Sequence, residues 1–398
     1  MNQSLFDASL LADPHGRYAE LRATGPVHRT TTPEGEPVWV VTGYAEARAA
    51  LADTRLSLNK ANARTSDSYR SSMPPELDAH LLNMDAPDHT RLRRLVSKAF
   101  TLRRMDDLRP RIETLVDELL DAAPAEGDVD LMEVLANPLP MNVICELLGI
   151  PTAARQDFRA WTNTLLSLEP GSATDSRTAM HSMYRHLVDV IQAKRAEPTD
   201  DLLSAMIEAR DDHDSLTESE LVSVSFLILF AGYDNAVHLI GNTLMALLHH
   251  PEHLEAVRRG ALPVRSVVEE TLRTDPPFPL AVRRFALADL TIAGVTIPQG
   301  GRVWVSIISA HRDAAHFEDP SSFDPARAAS HLAFGHGVHY CLGAPLARLE
   351  AEIAVERALR RFPHMKPAGR QSEPDWWPSF HKRGLRSLVI ATACYQRS

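Results

Sequence analysis

The sequence lacks several features that would assign it to a class at once. Only three of its 398 residues are cysteine, and they lie far apart, so we expect no disulfide framework and a reducing compartment. The net charge of −10 leaves no basic excess for binding phosphates, which argues against a nucleic-acid partner. No uninterrupted apolar run approaches the roughly twenty residues of a membrane span, and the N-terminus lacks a signal pattern. These absences predict a soluble, cytoplasmic protein.

Two further absences limit the function. No G-x-G-x-x-G motif follows a predicted strand, so nothing in the chain binds a flavin or a nicotinamide, and electrons for any redox reaction come from another protein. Aromatic residues make up only 6% of the chain, although 44% of it is hydrophobic. The chain is long enough for a large core, and its length alone would favour two or three domains.

What the sequence does contain is a glycine-rich stretch with one cysteine, 334–343, which reads FGHGVHYCLG. A helical pattern follows directly from Ala344, so Cys341 is expected at a helix N-terminus, where free backbone N–H groups favour a thiolate. A thiolate can serve as a nucleophile or as a metal ligand, and the residues alone leave both roles open. Gly335, Gly337 and Gly343 let the backbone approach a large flat cofactor closely, which favours the ligand role.

A second unusual stretch is a long apolar helix. Thr217 and Glu220 form a capping signal, and the helical pattern then continues to about residue 249. Because this helix is apolar on nearly all sides, we expect it to be buried. Gly232 weakens such a helix and Asp234 is costly to bury, and together they indicate a site. The alternative is that Gly232 only permits close packing and Asp234 faces a polar crevice.

The rest of the chain predicts a mainly α fold with small β-sheets. Residues 27–32 and 37–41 form a predicted hairpin, residues 280–285 and 303–307 read as strands, and residues 108–210 are almost entirely helical. The polar stretch 59–75 is interpreted as a lid over a pocket, and the break at 169–175 as a second mobile edge of that pocket. His89 and Arg93 are four residues apart on one helix face, which by itself indicates only a solvated basic helix.

The order F-G-x-G-x-H-x-C-x-G resembles the haem-thiolate signature of the cytochromes P450. The resemblance covers nearly the whole chain and is strongest for the soluble bacterial members. It implies a single cytochrome P450 domain over residues 1–398, mainly α with small β-sheets. It also implies that haem b lies between the long helix at 217–249 and the Cys341 loop at 334–343.

The resemblance also assigns roles around the cofactor. Cys341 would be the axial ligand of the haem iron, and its thiolate would favour O–O cleavage. Phe334, Gly335 and Gly343 would shape its loop. The residues matching the family's haem propionate partners are His89, Arg93, Arg284 and His339. Taken alone, Glu270 and Arg273 form an ordinary ion pair one helical turn apart, but with Arg327 they resemble the triad that braces the cysteine loop.

On the opposite face of the cofactor, the resemblance assigns proton delivery to Gly232, Asp234 and Asn235. Asn235 stands where the family usually has threonine, so it replaces a hydroxyl with an amide. This departure leaves the proton-delivery step open. The residues expected to line a mostly apolar substrate pocket are Phe226, Leu229, Phe230, Leu280, Val282 and Phe380.

The resulting hypothesis is a monomeric haem-thiolate monooxygenase. It would insert one oxygen atom from dioxygen into a mainly apolar secondary metabolite of the polyketide, macrolide or terpenoid kind, by hydroxylation or epoxidation. A ferredoxin and a ferredoxin reductase would supply electrons, with the ferredoxin docking near Arg93, Arg94, Arg103, Arg104 and Arg348. The alternatives are a peroxygenase or an atypical P450 oxidation, suggested by Asn235, and a haem sensor or carrier without catalysis.

Overall fold

The computed structural model describes residues 4–63, 73–124, 127–166, 173–209, 215–327, 330–369 and 374–392. Cys394 and parts of the predicted lid at 59–75 and of the second pocket edge at 169–175 lie outside the described residues. In the described part of the predicted lid, residues 60–62 form a 3-10 turn.

Helices account for most of the described residues, in agreement with the mainly α prediction. Several are preceded by a polar residue that accepts hydrogen bonds from the first turn, as Asp13 does from the N–H of Gly16. The α-helices of the described residues are α1 Ala8–Ala12, α2 Pro14–Thr24, α3 Tyr44–Ala52, α4 Pro75–Asp78, α5 Asp88–Ala99, α6 Leu102–Asp121, α7 Pro138–Leu147, α8 Arg155–Leu166, α9 Ala173–Ala196, α10 Leu202–Glu208, α11 Glu218–His249, α12 Pro251–Arg258, α13 Val264–Thr274, α14 Ile307–Ala310 and α15 Ala344–Arg361.

The strands form three small sheets, one with the order β1-β2-β8-β5-β3, one with the order β4-β10-β9, and the β6-β7 hairpin. The strands of the described residues are β1 Val27–Thr31, β2 Pro37–Val41, β3 Leu56–Ser57, β4 Asp128–Asp130, β5 Arg284–Ala286, β6 Leu290–Ile292, β7 Val295–Ile297, β8 Arg302–Val305, β9 Lys366–Pro367 and β10 Val389–Ala391. In the largest sheet β2 pairs with β8 in parallel, which joins the N-terminal hairpin to a segment near residue 300.

Local signals predicted the long helix and the first hairpin, and both are confirmed. The side chain of Thr217 accepts a hydrogen bond from the N–H of Glu220, and the Glu220 carboxylate accepts one from the N–H of Thr217 at 2.8 Å. β1 and β2 pair antiparallel from Val27 opposite Val41. These elements form where their sequence signals lie because both signals act over a few residues.

Two predicted strands are placed differently in the structure. Of residues 280–285, only the end belongs to a strand, because β5 begins at Arg284, and Leu280 makes an isolated bridge to Ser306. Ile307 was assigned to a strand but begins α14, where Ser306 caps the helix by accepting from the N–H of Ser309. The β6-β7 hairpin was not predicted.

The apolar core is organised around α11. This helix packs against α7, α9, α13 and α15, and the cluster around it is the largest of three apolar clusters among the described residues. The other two lie beneath the β1-β2-β8-β5-β3 sheet and around the N-terminal segment. α11 is long and apolar enough to span a membrane, but most of its apolar stretch is buried inside the protein, as expected for a core helix.

One buried ion pair joins α13 to the segment that leads into the cysteine loop. Arg273 is fully buried, and its guanidinium donates to both carboxylate oxygens of Glu270 at 2.7 and 2.8 Å. Its remaining donors bind backbone carbonyls of the following segment, those of His311, Pro320 and Ser322. A buried charge is tolerated only when it is paired and fully hydrogen-bonded, and Arg273 meets that condition.

The rest of this network extends the same connection. Glu270 accepts from the N–H of Asp324, and Arg327 Nε lies 3.6 Å from its Oε1. The ring of His311 bonds the Arg273 carbonyl with Nδ1 and accepts from the N–H of Leu332 with Nε2. The predicted bracing group of Glu270, Arg273 and Arg327 is therefore brought together, and His311 links it to the start of the cysteine loop.

We expect Arg273→Met to lower the free energy of unfolding by about 3 to 5 kcal/mol, because it leaves the Glu270 charge buried and unpaired. Urea unfolding measures the change. The matched control is Arg258→Met, since Arg258 pairs with Glu255 at the same helical spacing but on the surface, and it should cost less than about 1 kcal/mol. Equal losses in the two variants would contradict the assignment.

Candidate functional site

Four basic side chains that are distant in sequence converge near the cysteine loop. His89 on α5 is 3% exposed, and its ring lies 4.1 Å, centroid to centroid, from that of His339. Arg284, at the start of β5, is 4% exposed and close enough for its charge to act on His339. Arg93, one turn after His89, donates to the carbonyl of Tyr340 at 2.5 Å. The structure thus unites the four residues that the sequence grouped by resemblance.

These four basic residues have few carboxylates near them to balance their charge. Burial and the neighbouring cations His89 and Arg284 lower the pKa of His339 to about 3, and burial lowers the pKa of Arg284 to about 10 against the opposing effect of Asp85. Burial and Arg93 also lower the pKa of His89. Among the described residues, His89 Nε2 and Arg284 Nε are buried without a hydrogen-bond partner. A group that carries carboxylates would satisfy both the donors and the charge.

The cysteine loop has a backbone shape that requires glycine at two positions. Gly335 and Gly337 have φ values of +75° and +76°, in the left-handed region that other residues rarely adopt. A Cβ on Gly337 would also lie 3.0 Å from the Cα of Ala52 on α3. The N–H of Cys341 donates to the carbonyl of Phe334 at 2.9 Å, which closes the loop. A Cβ on Gly343 would meet only ordinary contacts in the protein, 3.9 Å from Cys341 Sγ.

Cys341 lies at the N-terminus of α15, as predicted, and the residue is accessible. Protein still surrounds much of the thiol, and this burial raises its pKa, although the N–H groups of Gly343 and Ala344 and the charge of Arg93 act in the opposite direction. The helix end therefore favours the thiolate, as expected, but burial has the larger effect on the pKa of Cys341.

One face of α11 remains partly accessible while the rest of the helix is buried. Between residues 221 and 248 the partly exposed residues are Leu227, Ile228, Phe230, Ala231, Gly232, Asp234 and Asn235, at helical positions i, i+1, i+3, i+4, i+5, i+7 and i+8. This spacing describes a single stripe along the helix. The stripe begins with apolar side chains and ends with a carboxylate and an amide, a combination suited to an apolar ligand beside a proton-handling group.

The stripe corrects part of the predicted pocket lining. Phe226, Leu229 and Leu280 are each at most 2% exposed and lie within apolar clusters, so they support the wall and do not line it. Phe230 stacks on Phe226 with ring centroids 5.7 Å apart and keeps an accessible surface.

The remaining pocket predictions fall near the β1-β2-β8-β5-β3 sheet and the N-terminal segment. Val282 is partly exposed. Phe380 packs edge-on against Phe6, 5.3 Å between centroids. Leu227 and Ala231 were missed, because a helix that is apolar all round gives no sign of which face stays open.

Gly232 has a packing reason as well as its predicted functional one. A Cβ at this position would lie 2.8 Å from Cδ1 of Ile144 on α7. The glycine therefore lets α11 approach α7 closely. This is the alternative that the sequence left open for Gly232, and it does not bear on Asp234 or Asn235, which lie on the accessible stripe.

The chain is similar to known proteins over most of its length. The family model described as Cytochrome P450 matches residues 172–383. Cytochrome P450 107B1 of Saccharopolyspora erythraea is 43% identical over 394 residues, which cover 97% of this chain and 96% of that protein. The chain belongs to the cytochrome P450 family.

Two other P450s show how far the similarity extends. Mycinamicin IV hydroxylase/epoxidase of Micromonospora griseorubida is 41% identical, over 94% of each chain. The solved structure of PksS, the P450 of the bacillaene polyketide synthase of Bacillus subtilis 168, matches with a TM-score of 0.92 at 34% identity, covering 98% of this chain and all of that one. The fold is the P450 fold, and the protein is an oxidoreductase of the monooxygenase kind.

Haem is the cofactor of the P450 family, and the residues of this chain fit it. The loop offers a thiol in a backbone cradle held open by positive-φ glycines. The two unpartnered nitrogens, on His89 and Arg284, belong to a buried basic group that suits the two propionates of haem. No residue of the donor set opposes this fit, since the nearby Asp85 carboxylate is already bonded to the Ser57 hydroxyl and the N–H of Leu58.

Glu269 is a residue of the P450 site that sequence reasoning missed. Its carboxylate binds His331, which precedes the cysteine loop, at 3.0 Å, and Arg348, which follows the loop, at 2.5 and 3.0 Å. Burial alone would raise the pKa of Glu269, but the bonds from His331 and Arg348 outweigh it and lower the pKa to about 2. The Arg348 guanidinium also lies 4.4 Å from the ring centroid of Phe334. Glu269 thus holds both flanks of the loop.

We expect Glu269→Gln to release haem roughly tenfold faster than the wild-type P450, because supporting residues around a metal ligand typically contribute this much to retention. Transfer of haem to excess apomyoglobin measures the rate, and far-UV circular dichroism checks that the fold is kept. The control is Glu255→Gln, the same change at an exposed ion pair on α12. Equal rates of haem release in the two variants would contradict the assignment of Glu269 to the site.

Proposed function

We propose that this P450 hydroxylates or epoxidises a large, mainly apolar secondary metabolite of the polyketide or macrolide kind. The observation that carries the proposal is the accessible stripe of α11, apolar at Leu227, Phe230 and Ala231 and polar at Asp234 and Asn235. The names of relatives support the substrate class, since one is a mycinamicin IV hydroxylase/epoxidase and another is the P450 of a polyketide synthase. The protein acts in the cytoplasm as a soluble monomer of one domain, residues 1–398.

In this proposal the Cys341 thiolate would hold the haem iron. When bound, the haem supplies dioxygen activation, by which one oxygen atom enters the substrate and the other leaves as water. His89, Arg93, Arg284 and His339 would hold the propionates, with the unpartnered nitrogens of His89 and Arg284 facing them. Phe334 lies beside the loop, and the bracing residues keep the sulfur in place.

Asp234 and Asn235 handle protons on the substrate side. The Asn235 amide donates from Nδ2 to the carbonyl of Ala231 at 3.3 Å, one turn back along α11. A threonine hydroxyl at this position could make the same bond to the carbonyl four residues earlier. Asn235 therefore keeps that contact with its donor and leaves its carbonyl oxygen as an acceptor for a water or a substrate hydroxyl.

Electrons come from a ferredoxin and its reductase. The ferredoxin docks on the cysteine side, where Val338 and Tyr340 are exposed and Arg94 is accessible. Three of the predicted docking cations form ion pairs within the protein, Arg348 with Glu269, Arg104 with Asp200 and Arg103 with Asp107. In this proposal the docking patch is centred on α5, where Arg94 is exposed.

We expect macrolide lactones, added to the ferric holoenzyme, to shift its Soret band toward the high-spin position, and oxygenated product to form with ferredoxin, reductase and NADPH. The physical reason is that an apolar ligand on the α11 stripe excludes water from the site. A difference titration and mass spectrometry of products made under ¹⁸O₂ measure the two effects. Turnover with hydrogen peroxide but not with the ferredoxin system would instead identify a peroxygenase.

The matched control for this test is a pair of cysteine variants. Cys341→His should abolish both the product and the red-shifted thiolate band of the reduced, CO-bound protein, whereas Cys145→Ala, at a buried cysteine on α7, should keep both. A normal thiolate band in Cys341→His would exclude Cys341 as the ligand. Absence of any spin shift across macrolides of several ring sizes would exclude the proposed substrate class.

We expect Asn235→Thr to change the yield of product per NADPH without changing haem content, because the variant keeps the bond to the Ala231 carbonyl but loses the amide acceptor. Product and NADPH are quantified with a macrolide that gives a spin shift. Asn163→Thr serves as the control, since Asn163 lies on α8 and binds the Tyr233 hydroxyl. Identical yields in wild type and Asn235→Thr would argue against any role for the amide.

A further inference from the structure

A polar row continues from Asp234 along α11. Asp234, His238 and Asn242 are spaced four residues apart, so their side chains lie one above another on one side of the helix. All three contact the same short loop, residues 382–384, which precedes β10 near the end of the chain. A row of three polar residues in a core helix is costly unless each has a partner, and the loop supplies contacts for all three.

Asn242 and its neighbours fix the loop in place. The Asn242 amide donates to the carbonyls of Arg383 and Asp275, at 2.9 and 3.0 Å. Arg383 also binds the Asp275 carboxylate with Nε at 2.9 Å, and its own N–H donates to the carbonyl of Pro277. Main chain and side chain are thus both anchored, so the position of the loop relative to α11 is well defined.

The anchored loop brings Lys382 to Asp234. The Lys382 ammonium lies 3.1 Å from Asp234 Oδ1, and the two side chains are only 14% and 19% exposed. The same ammonium is 5.5 Å from the centroid of the Trp377 ring. Because the pair is largely withdrawn from water, its charges are screened less than those of a surface ion pair.

His238, one turn after Asp234 on α11, contacts the same carboxylate. Its Nε2 lies 3.3 Å from Asp234 Oδ1, and the residue is 3% exposed. The relative orientation of the two groups is outside the range of a hydrogen bond. Neither ring nitrogen of His238 has another hydrogen-bond partner among the described residues. Gly384 leaves room for the ring, since a Cβ there would lie 2.0 Å from His238 Nδ1. The ring is therefore enclosed between the loop and Asp234.

Lys382 and His238 both favour the ionised form of Asp234. Burial would raise the pKa of this carboxyl, but His238 and Lys382 outweigh burial and lower it. Asp234 is therefore ionised at neutral pH and is held at one oxygen from two sides. A carboxylate fixed in this way has one orientation from which it can accept and pass on a proton.

We propose that Lys382 and His238 are positioning residues that hold the Asp234 carboxylate in the orientation needed for proton delivery. The inference rests on the proposed role of Asp234 and extends it to a loop that is distant in sequence. Lys382 and His238 touch neither substrate nor cofactor in this assignment. They act through Asp234 alone, so their removal should change the fate of reduced dioxygen and leave haem binding intact.

The test uses substrate-free holoenzyme with a plant-type ferredoxin, its reductase and NADPH. Without substrate, dioxygen takes two electrons and two protons to give hydrogen peroxide, or four of each to give two waters. We expect Lys382→Met to raise the peroxide formed per NADPH several-fold and to increase the solvent deuterium isotope effect on NADPH consumption. His238→Gln should act in the same direction, and Lys382→Arg should restore the wild-type ratio.

The matched control is Arg386→Met. Arg386 is on the same segment and lies 5.2 Å from the same Trp377 ring, but it pairs with Asp375 and not with Asp234. It should leave the peroxide ratio unchanged. A rise as large in Arg386→Met as in Lys382→Met would show a general effect of disturbing the loop and would overturn the proposal.

A second measurement does not depend on turnover. The urea midpoints of Asp234→Asn, Lys382→Met and the double variant should be non-additive, with the loss from Lys382→Met disappearing when Asp234 is already an amide. Additive midpoints would overturn the proposed contact. A third outcome is that the midpoints are non-additive and Asp234→Asn raises the peroxide ratio, but Lys382→Met does not. That outcome would overturn the positioning role of Lys382 and leave the role of Asp234 standing. If Asp234→Asn itself leaves the peroxide ratio unchanged, the role of Asp234 fails, and the positioning role fails with it.

Discussion

The Glu270–Arg273 ion pair is the constraint on which the rest of the site depends. Both side chains are buried, and every neighbouring carbonyl that Arg273 reaches belongs to the segment leading to the cysteine loop. A buried pair seldom adds net stability over apolar residues of the same volume. In this protein the pair instead determines where the chain runs. The Arg273 guanidinium binds carbonyls of a segment with little regular structure, between His311 and Ser322, and fixes its path. Glu269, the adjacent residue on α13, then fixes both flanks of the loop. One turn of one helix therefore positions the cysteine loop.

Features with local causes could be predicted from the sequence, and features set by tertiary contacts could not. The cap at Thr217 and the β1-β2 hairpin depend on a few adjacent residues, and both were predicted. The strand at 280–285 was predicted too early because its alternation continues through Leu280, while pairing with β8 starts only at Arg284. Phe226 and Leu229 were misplaced because an all-apolar helix carries no information about which side its neighbours cover.

In the site, too, residues within a local motif could be predicted and residues placed by tertiary contacts could not. The residues around Cys341 lie in one ordered motif, so the resemblance identified them, and the structure unites His89, Arg284 and His339 from three separate segments. Glu269 and Lys382 carry no motif of their own. Each is an ordinary charged residue whose importance comes from a partner far along the chain, Arg348 in one case and Asp234 in the other. A single sequence does not reveal such pairs, because they depend on packing between elements.

The parallel pairing of β2 with β8 has a consequence for how the protein is made. Val38 lies opposite Arg302, so the hydrophobic strand β2 cannot complete its hydrogen bonds until the chain near residue 300 exists. At the usual pace of translation this delay is roughly 10 to 50 s. During that time the free edge of the β1-β2 hairpin is open to pairing with other chains. We expect yield in a heterologous host to be limited by this waiting period and to improve at low temperature or with added chaperone.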